Sequence, residues 1–135
     1  MCGLTGIFDT NGARPVDGGV LAAMNDSLAH RGPDGDGFLV EPGIGLGHRR
    51  LAIIDLAGGK QPLWNETGDV GIVFNGEIYN YRETMAALKS LGHRFATASD
   101  TEVIVHGWEE WGPRVLDRLR GMFALALWDR ERRTL

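Results

Sequence analysis

Short apolar runs and helically spaced apolar stripes alternate along this chain. Residues 3–9 form an apolar run that predicts a strand, closed by a turn at Asn11-Gly12. Residues 17 to about 29 predict a helix: Asp17 can cap its N-terminus, and apolar side chains follow along one face. Between positions 37 and 51 the pattern predicts two short strands around the turn at 41–43. The first half is therefore expected to be mostly strand, with one helix.

The second half gives stronger signals of the same kind. Residues 70–74 predict a strand that delivers Asn75-Gly76-Glu77 at its end. Capping-box pairs, Asn80 with Glu83 and Ser99 with Glu102, predict two helices, the first closed by Gly92 and the second by Gly112-Pro113. These capping pairs and glycines define the predicted helix ends more clearly than the apolar stripes do.

Three shorter elements complete the second half. Residues 94–98 predict a short strand, 115–119 a short helix, and 122–128 a strand buried on both faces. Residues 129–133 resemble a hairpin turn, after which only two residues follow, so we expect a domain that is incomplete at its C-terminus. Clustered strands separated by helices favour an α+β layered fold over a regular βαβ series.

Composition narrows the function classes. Of 135 residues, 43% are hydrophobic and 24% charged, and 18 acidic against 14 basic residues give a net charge of −4. No basic block or long apolar segment occurs, so neither nucleic acid nor a membrane is suggested, and a cytoplasmic location is expected. The four histidines show no zinc spacing. The 20 glycines, about twice the usual share of ~7%, indicate tight turns and close backbone approaches.

The cysteine at position 2 is the most informative candidate for chemistry. Removal of Met1, expected before a small residue, would leave Cys2 with its thiol beside a free α-amine. An α-amine has an ordinary pKa of about 7.7–8.0, so it can relay a proton near neutral pH while the thiolate attacks. A lone cysteine is more often a small core residue. The position, before a glycine and an apolar run, favours a nucleophile.

Other polar residues could complete such a site, although none is specific alone. Asn75-Gly76 could supply an amide and a backbone N–H to an oxyanion, but Asn-Gly is also a strong turn dipeptide. Arg50 could bind a carboxylate through its planar fork, and Glu77 and Asp100 could bind an ammonium group. As alternatives, these three are surface charges or, at Asp100, a favourable acid at a helix start. The sequence contains no phosphate-binding loop.

Taken together, several stretches resemble the class II glutamine amidotransferase domain, in particular the N-terminal glutaminase half of glutamine-dependent asparagine synthetases. They occur in the family's order and cover nearly the whole chain. The matching stretches are 1–8, 30–34, 47–55, 61–63, 74–80, 99–104 and 121–129. The stretches at 50–55, 75–80 and 121–129 favour asparagine synthetase over other branches of the class.

The resemblance implies an N-terminal-nucleophile hydrolase fold: an αββα four-layer sandwich of two antiparallel sheets between helices, here missing its last strands. It assigns residues 1–135 to one incomplete glutaminase domain. Cys2 would attack the glutamine side-chain amide, with Asn75 and the Gly76 N–H holding the oxyanion. Glutamine would be bound by eight residues: Arg50 at its α-carboxylate, Glu77 and Asp100 at its α-ammonium, and Leu51, Ile53, Ile54, Asn75 and Gly76 lining the pocket.

The resemblance also implies partners. The glutaminase half needs no metal or cofactor; ATP and Mg²⁺ are expected only in the synthetase domain, which converts aspartate to asparagine and is absent here. Alternatives are a paralogue that amidates another acceptor, such as a sugar, and an inactive fragment that binds glutamine or self-associates through open sheet edges. Expected partners are therefore L-glutamine, the synthetase domain and a possible homodimer.

Overall fold

The computed structural model describes residues 2–12, 14–52 and 59–135 of the chain. Its first sheet contains β1 (Gly3–Phe8), β2 (Gly35–Glu41) and β3 (Ile44–Arg50) in the order β1-β3-β2, all antiparallel. A two-residue turn at Pro42-Gly43 joins β2 to β3, as the sequence predicts. The central strand β3 thus ends at Arg50, next to Gly3 at the start of β1 and Gly35 at the start of β2.

The second sheet contains β4 (Leu63–Trp64), β5 (Val70–Ile78) and β6 (Gly121–Asp129) in the order β4-β5-β6, again antiparallel. β4 covers only the first part of β5, pairing with Gly71 and Ile72. The rest of that β5 edge, from Val73 to Ile78, has no strand beside it among the described residues. This uncovered edge is where a ligand can approach the backbone of β5.

Helices lie on the outer face of each sheet. α1 (Gly18–Asp26) packs on β1 and β3, while α2 (Tyr81–Ser90) and α3 (Glu102–Trp111) pack over β5. A 3-10 helix (Gly112–Arg118) follows α3 and leads into β6. No helix among the described residues is long and apolar enough to cross a membrane.

Two hydrophobic clusters hold the layers together. One lies between the sheets and includes Leu39, Leu46, Val73 and Trp128. The other joins the second sheet to α2 and α3, with Ile72 and its neighbours on β5 facing the helices. Residues of β5 therefore alternate between two apolar layers, which confirms the α+β arrangement of two antiparallel sheets between helical layers.

Some local predictions are wrong. Residues 94–98 form no strand. Asn75-Gly76 is not at a strand end, because β5 continues to Ile78 and pairs with β6 throughout. β6 is not buried on both faces: its first four residues are exposed and Met122 is 62% exposed, since β6 is an edge strand of the sheet.

The predicted capping boxes also differ from the structure. Asn80 precedes α2 as predicted, but its side chain bonds the Arg118 carbonyl and the Arg120 N–H instead of the helix. α3 begins after Thr101, two residues beyond the start expected from a Ser99 cap, and the Glu102 carboxylate accepts from the N–H groups of Ala96 and Thr97. These side chains fix loops to helix ends, a long-range role that sequence spacing does not reveal.

Candidate functional site

A cavity of about 250 Å³ lies where the ends of β1 and β3 meet the uncovered edge of β5. It is lined by residues from both sheets and from the loop before α3. The lining residues are Cys2, Arg50, Leu51, Gly59, Gln61, Phe74, Asn75, Gly76, Glu77, Ser99, Asp100, Thr101 and Met122. Seven of the nine site residues predicted from the sequence are thus brought together; the other two, Ile53 and Ile54, lie outside the described residues.

Cys2 lies directly before β1 and is held by contacts with backbone atoms. Its Sγ accepts a hydrogen bond from the Leu51 N–H at 3.2 Å and donates to the Leu51 carbonyl oxygen at 3.6 Å. Arg31 Nε donates to the Cys2 carbonyl oxygen at 3.1 Å. The residue is half-buried and forms no disulfide. The Leu51 backbone thus holds the sulfur at the edge of the cavity.

The stretch 30–34 supports the nucleophile. Besides the Arg31 contact, Asp34 accepts from the Ala52 N–H at 2.9 Å, next to the residue that bonds the thiol. A side chain at Gly32 would place its Cβ 2.4 Å from the Arg49 carbonyl carbon, so this segment lies directly against the end of β3. No role in the site was predicted for residues 30–34 from the sequence. Their contacts show that they fix Cys2 and the chain after Arg50.

Backbone direction in β5 makes Gly76 a donor toward the cavity. The Tyr79 N–H bonds the Arg120 carbonyl in the same register as the β5–β6 pairing, so odd-numbered N–H groups point to β6. Even-numbered ones point to the other edge: the Phe74 N–H reaches Gln61 Oε1 and the Ile78 N–H reaches Asp100 Oδ2. Since the register is unbroken, the Gly76 N–H lies between these two and points into the cavity.

Gly76 is also required for packing. A Cβ at this position would lie 2.2 Å from the Met122 carbonyl oxygen and 2.6 Å from Phe123, the residue opposite in β6. No side chain fits there, so the close approach to β6, and not the turn considered as an alternative from the sequence, requires a glycine at this position. Asn75 and Gly76 are both half-buried, which leaves the amide and the N–H accessible from the cavity.

The two acidic residues of the site differ in environment. Asp100 is 5% exposed and accepts from the Ile78 N–H at 2.9 Å. Burial, together with the nearby charge of Glu77, raises the pKa of the Asp100 carboxyl, although backbone hydrogen bonds oppose that rise. Glu77 is exposed. The negative charge of the buried Asp100 carboxylate is only partly balanced by its hydrogen bonds. A cationic group entering the cavity would therefore be attracted more strongly to Asp100 than to the exposed Glu77.

Arg50 and Gln61 border the cavity from the first sheet and from the segment before β4. Arg50 is the last residue of β3, and its own carbonyl accepts from the Asp34 N–H. Gln61, which precedes a cis peptide bond to Pro62, was not predicted as a site residue. Ser99, Thr101 and Met122 were not predicted as site residues either. The one signal that pointed to these residues was that stretches 61–63, 99–104 and 121–129 match the family.

Comparisons with known proteins point in one direction. A family model described as a glutamine amidotransferase domain matches residues 1–135. Asparagine synthetase (glutamine-hydrolyzing) 2 of Bacillus subtilis (strain 168) is 42% identical over 134 residues, which are 98% of this chain and 18% of that protein. Asparagine synthetase (glutamine-hydrolyzing) 2 of Oryza sativa subsp. japonica is 43% identical, over 96% of this chain and 22% of that protein. The chain thus spans about a fifth of the length of these relatives.

Solved structures agree on the fold. Glutamine phosphoribosylpyrophosphate amidotransferase from B. subtilis, complexed with ADP and GMP, superposes with a TM-score of 0.74 at 20% identity, over 96% of this chain and 35% of that one. A structure described as the allosteric regulatory enzyme of purine biosynthesis gives a TM-score of 0.75 at 21% identity, over 96% and 36%. These neighbours confirm the N-terminal-nucleophile amidotransferase fold.

Proposed function

Because this chain belongs to the glutamine amidotransferase domain family, we propose that its cavity binds L-glutamine and that Cys2 hydrolyses the side-chain amide. The observation that carries this proposal is the meeting of Cys2, Arg50, Gly76 and Asp100 around one cavity. A nucleophile, an anion partner, a backbone donor and a buried acid are the groups that hydrolysis of an amino-acid amide requires.

The proposed step begins with attack of Cys2 Sγ on the amide carbon of glutamine. The carbonyl oxygen becomes an oxyanion held by the Gly76 N–H and the Asn75 amide, both of which face the cavity. The α-amine of Cys2 passes the thiol proton to the amide nitrogen. The C–N bond then breaks, ammonia leaves, and the acyl group stays on Cys2 Sγ as a thioester. Water then adds to the thioester, releases glutamate and restores the thiol. The step requires that Met1 be removed.

Substrate recognition rests on charge. Arg50 binds the α-carboxylate of glutamine, and Asp100, with Glu77 at the rim, binds the α-ammonium. The thiol and the two oxyanion donors then contact the side-chain amide at the other end of glutamine. Leu51 lines the remaining wall, and we expect Ile53 and Ile54, which lie outside the described residues, to contact glutamine as well. No metal or cofactor is assigned to this step, since the chain's own groups supply the nucleophile, the proton relay and the oxyanion donors.

The fate of the ammonia is the second part of the proposal. The relatives are named asparagine synthetases, and this chain covers about a fifth of their length. We infer that a further part, corresponding to the remainder of those proteins, uses ATP and Mg²⁺ to activate aspartate and captures the ammonia to form asparagine. A paralogue with another acceptor would use the same residues here, so this part of the proposal rests on the relatives' names.

The test is covalent labelling of the full chain with a diazo-ketone analogue of glutamine, followed by intact mass and peptide mapping. We expect a chain without Met1 that gains one adduct at Cys2, slowed by L-glutamine and not by D-glutamine. The Cys2→Ala variant should gain none and release no ammonia from glutamine. Because the Cys2 side chain forms hydrogen bonds only with the Leu51 backbone among the described residues, this variant should stay folded by circular dichroism.

Two results would contradict the proposal. Labelling that glutamine does not slow would show a reactive thiol without a glutamine site. Ammonia release that survives in folded Cys2→Ala would remove Cys2 from the mechanism.

A further inference from the structure

A second group of polar side chains lies away from the cavity, on the outer part of α3. His106 and Glu109 are on α3, His93 follows α2, and Glu66 lies in the turn between β4 and β5. His93, His106 and Glu109 each offer a ligand atom, and these atoms lie within 4.8 Å of one another. Three separate parts of the chain thus converge on one point, which the amidotransferase chemistry does not use.

The histidines of this group have an unusual arrangement of partners. His106 Nδ1 lies 2.9 Å from Glu109 Oε2, and its Nε2 lies 3.4 Å from Glu102 Oε1. His93 Nδ1 lies 3.8 Å from the same Glu109 oxygen, and its Nε2 lies 3.3 Å from Glu110 Oε2. Both nitrogens of both rings therefore face carboxylate oxygens.

A neutral imidazole cannot satisfy such surroundings. It carries one N–H, so one nitrogen of each ring would turn a lone pair toward a negatively charged oxygen. The two rings lie side by side with centroids 5.2 Å apart, and their Nδ1 atoms share the Glu109 oxygen as a neighbour. A cation at this shared position would be bound by one nitrogen of each ring and would leave the other nitrogen of each ring to donate to a carboxylate.

We propose that His93 Nδ1, His106 Nδ1 and Glu109 Oε2 bind one divalent transition-metal ion, for which Zn²⁺ is the best fit. Two imidazole nitrogens and one carboxylate oxygen are a donor set that zinc takes, at about 2.0–2.2 Å from each atom. The side chains must draw in slightly to reach that spacing. Glu66 Oε2, 3.9 Å from His106 Nδ1, is placed to give a fourth ligand.

The surroundings of the ligands match those of metal sites. The Nε2 atoms of His106 and His93, which face Glu102 and Glu110, would each donate an N–H to a carboxylate and leave Nδ1 as the ligand atom. Asn65 Nδ2 donates to Glu109 Oε1 at 2.7 Å, which orients that carboxylate. His106 is 1% exposed, while the side chain of Glu66 is 55% exposed, so an ion would enter from the Glu66 side.

The ion would act as a structural tie. It would join α3 to the segment after α2 and to the β4–β5 turn, at the end of α3 opposite the one that adjoins Asp100 and Thr101 of the cavity. The spacing of the histidines in the sequence does not point to this group, because His93 and His106 are 13 residues apart and are brought together by the fold.

The test is titration of the purified, untagged and chelator-treated chain with Zn²⁺ by isothermal calorimetry. All variants carry Cys2→Ala, so that the thiol cannot bind the metal. We expect one Zn²⁺ per chain with a Kd at or below about 10 µM, and proton release on binding if the imidazoles start protonated. Co²⁺ should give the visible absorption bands of a tetrahedral N/O site.

Variants then locate the ion. His93→Gln should weaken binding by at least about tenfold and remove the Co²⁺ bands, and Glu109→Gln should do the same. His30→Gln, an identical change at an exposed histidine outside the group, should bind as before. Far-ultraviolet circular dichroism checks that each variant is folded. A Kd above about 1 mM, or equal losses in His93→Gln and His30→Gln, would overturn the site.

Discussion

The two sheets hold their sides of the cavity in different ways. On the first sheet, Cys2 and Arg50 lie at strand ends and are fixed by single contacts to backbone atoms, made by Arg31, Asp34 and the close approach of Gly32. On the second sheet, the residues at the cavity are part of β5, whose Ile72, Val73 and Phe74 are 0–2% exposed between two apolar layers. One side depends on a few polar contacts and the other on the hydrophobic core.

This difference predicts how each side responds to substitution. In the nucleophile-bearing sheet, a close-packed glycine such as Gly32 or a polar contact to Cys2 has no substitute nearby, so a single change there should disturb the fold or the position of Cys2. In the second sheet, strand geometry is set by packing and by pairing with β6. A change at a polar cavity side chain there should therefore alter ligand binding and leave stability alone, whereas Gly76, at which no side chain fits, is the exception. The predictions below test this contrast.

The largest effect is expected at Gly32. In Gly32→Ala the new Cβ would lie 2.4–2.6 Å from backbone atoms of Arg49 and Arg50, which cannot move without shifting the end of β3. We expect the free energy of unfolding to fall by about 3 kcal/mol, at the upper end of overpacking costs. Urea unfolding followed by tryptophan fluorescence measures this change.

Gly35→Ala is the matched control, because a Cβ at Gly35 meets no atom within 4 Å. It should change stability by less than about 1 kcal/mol. Equal losses in the two variants would show that the close approach at Gly32 does not position β3.

A second effect concerns His48, the polar link between the sheets. His48 is 1% exposed on β3, and its Nε2 contacts the Phe74 carbonyl of β5 at 3.1 Å. Burial lowers its pKa from 6.5 to about 4, although the contact to Phe74 opposes that shift. A histidine whose pKa is lowered by folding contributes stability above the unfolded pKa and loses it as pH falls through the folded pKa. The shift corresponds to about 3 kcal/mol, lost between pH 6.5 and 4.

The measurement is the free energy of unfolding of the wild-type chain and of His48→Gln at pH 7 and near pH 4. The wild-type advantage at pH 7 should shrink by about 3 kcal/mol at the lower pH, because glutamine does not titrate there. His30→Gln controls for the acid titration that every variant shares. A constant difference between wild type and His48→Gln would mean that the buried imidazole stays neutral.

The contrast between the sheets also explains what the sequence could predict. The apolar runs that form β1, β3 and β5 were predictable because burial on one or two faces leaves a local pattern. The identity of Cys2, Arg50, Asn75, Gly76, Glu77 and Asp100 as a group came from the matching stretches. Their convergence on a cavity is a new fact of the structure.

What failed has a common physical cause. Asn75-Gly76 lies inside β5 and not at its end because β5 pairs with β6, nearly fifty residues further along the chain. The exposure of Met122 depends on β6 being an edge strand, and the side-chain partners of Asn80 and Glu102 lie in other segments. Local propensity cannot encode such contacts, so predictions made from it place the elements but not their partners.

On the second sheet, Asp100→Asn should weaken glutamine binding without loss of stability. Loss of the charged contact should raise the Kd by about 10- to 100-fold, equivalent to about 1.5–3 kcal/mol. Because burial raises the pKa of Asp100, its ionised form opposes folding above that pKa, so the neutral amide should leave the unliganded chain at least as stable at pH 7. Protection against diazo-ketone labelling measures binding, and urea unfolding measures stability.

A control variant separates charge from general disturbance of the loop. Ser99→Ala changes a neighbouring buried cavity residue without changing charge and should bind glutamine within about threefold of wild type, since its hydroxyl accepts only the Thr101 N–H. Destabilisation of Asp100→Asn at pH 7 would contradict the view that β5 and the core, and not Asp100, hold this side of the cavity.

The smallest effect is expected at Arg31, on the nucleophile-bearing side. Arg31→Lys keeps the charge and the apolar stem but removes the Nε–H that fixes the Cys2 carbonyl at 3.1 Å. We expect the rate of Cys2 labelling to fall about tenfold, equivalent to about 1.4 kcal/mol, while the glutamine concentration that gives half-protection stays constant. Arg114→Lys, in the exposed 3-10 helix, should change neither quantity. Since Arg31 contacts Cys2 and does not line the cavity, a change in glutamine protection with an unaltered labelling rate would assign it to substrate binding and would end the distinction between the two sides.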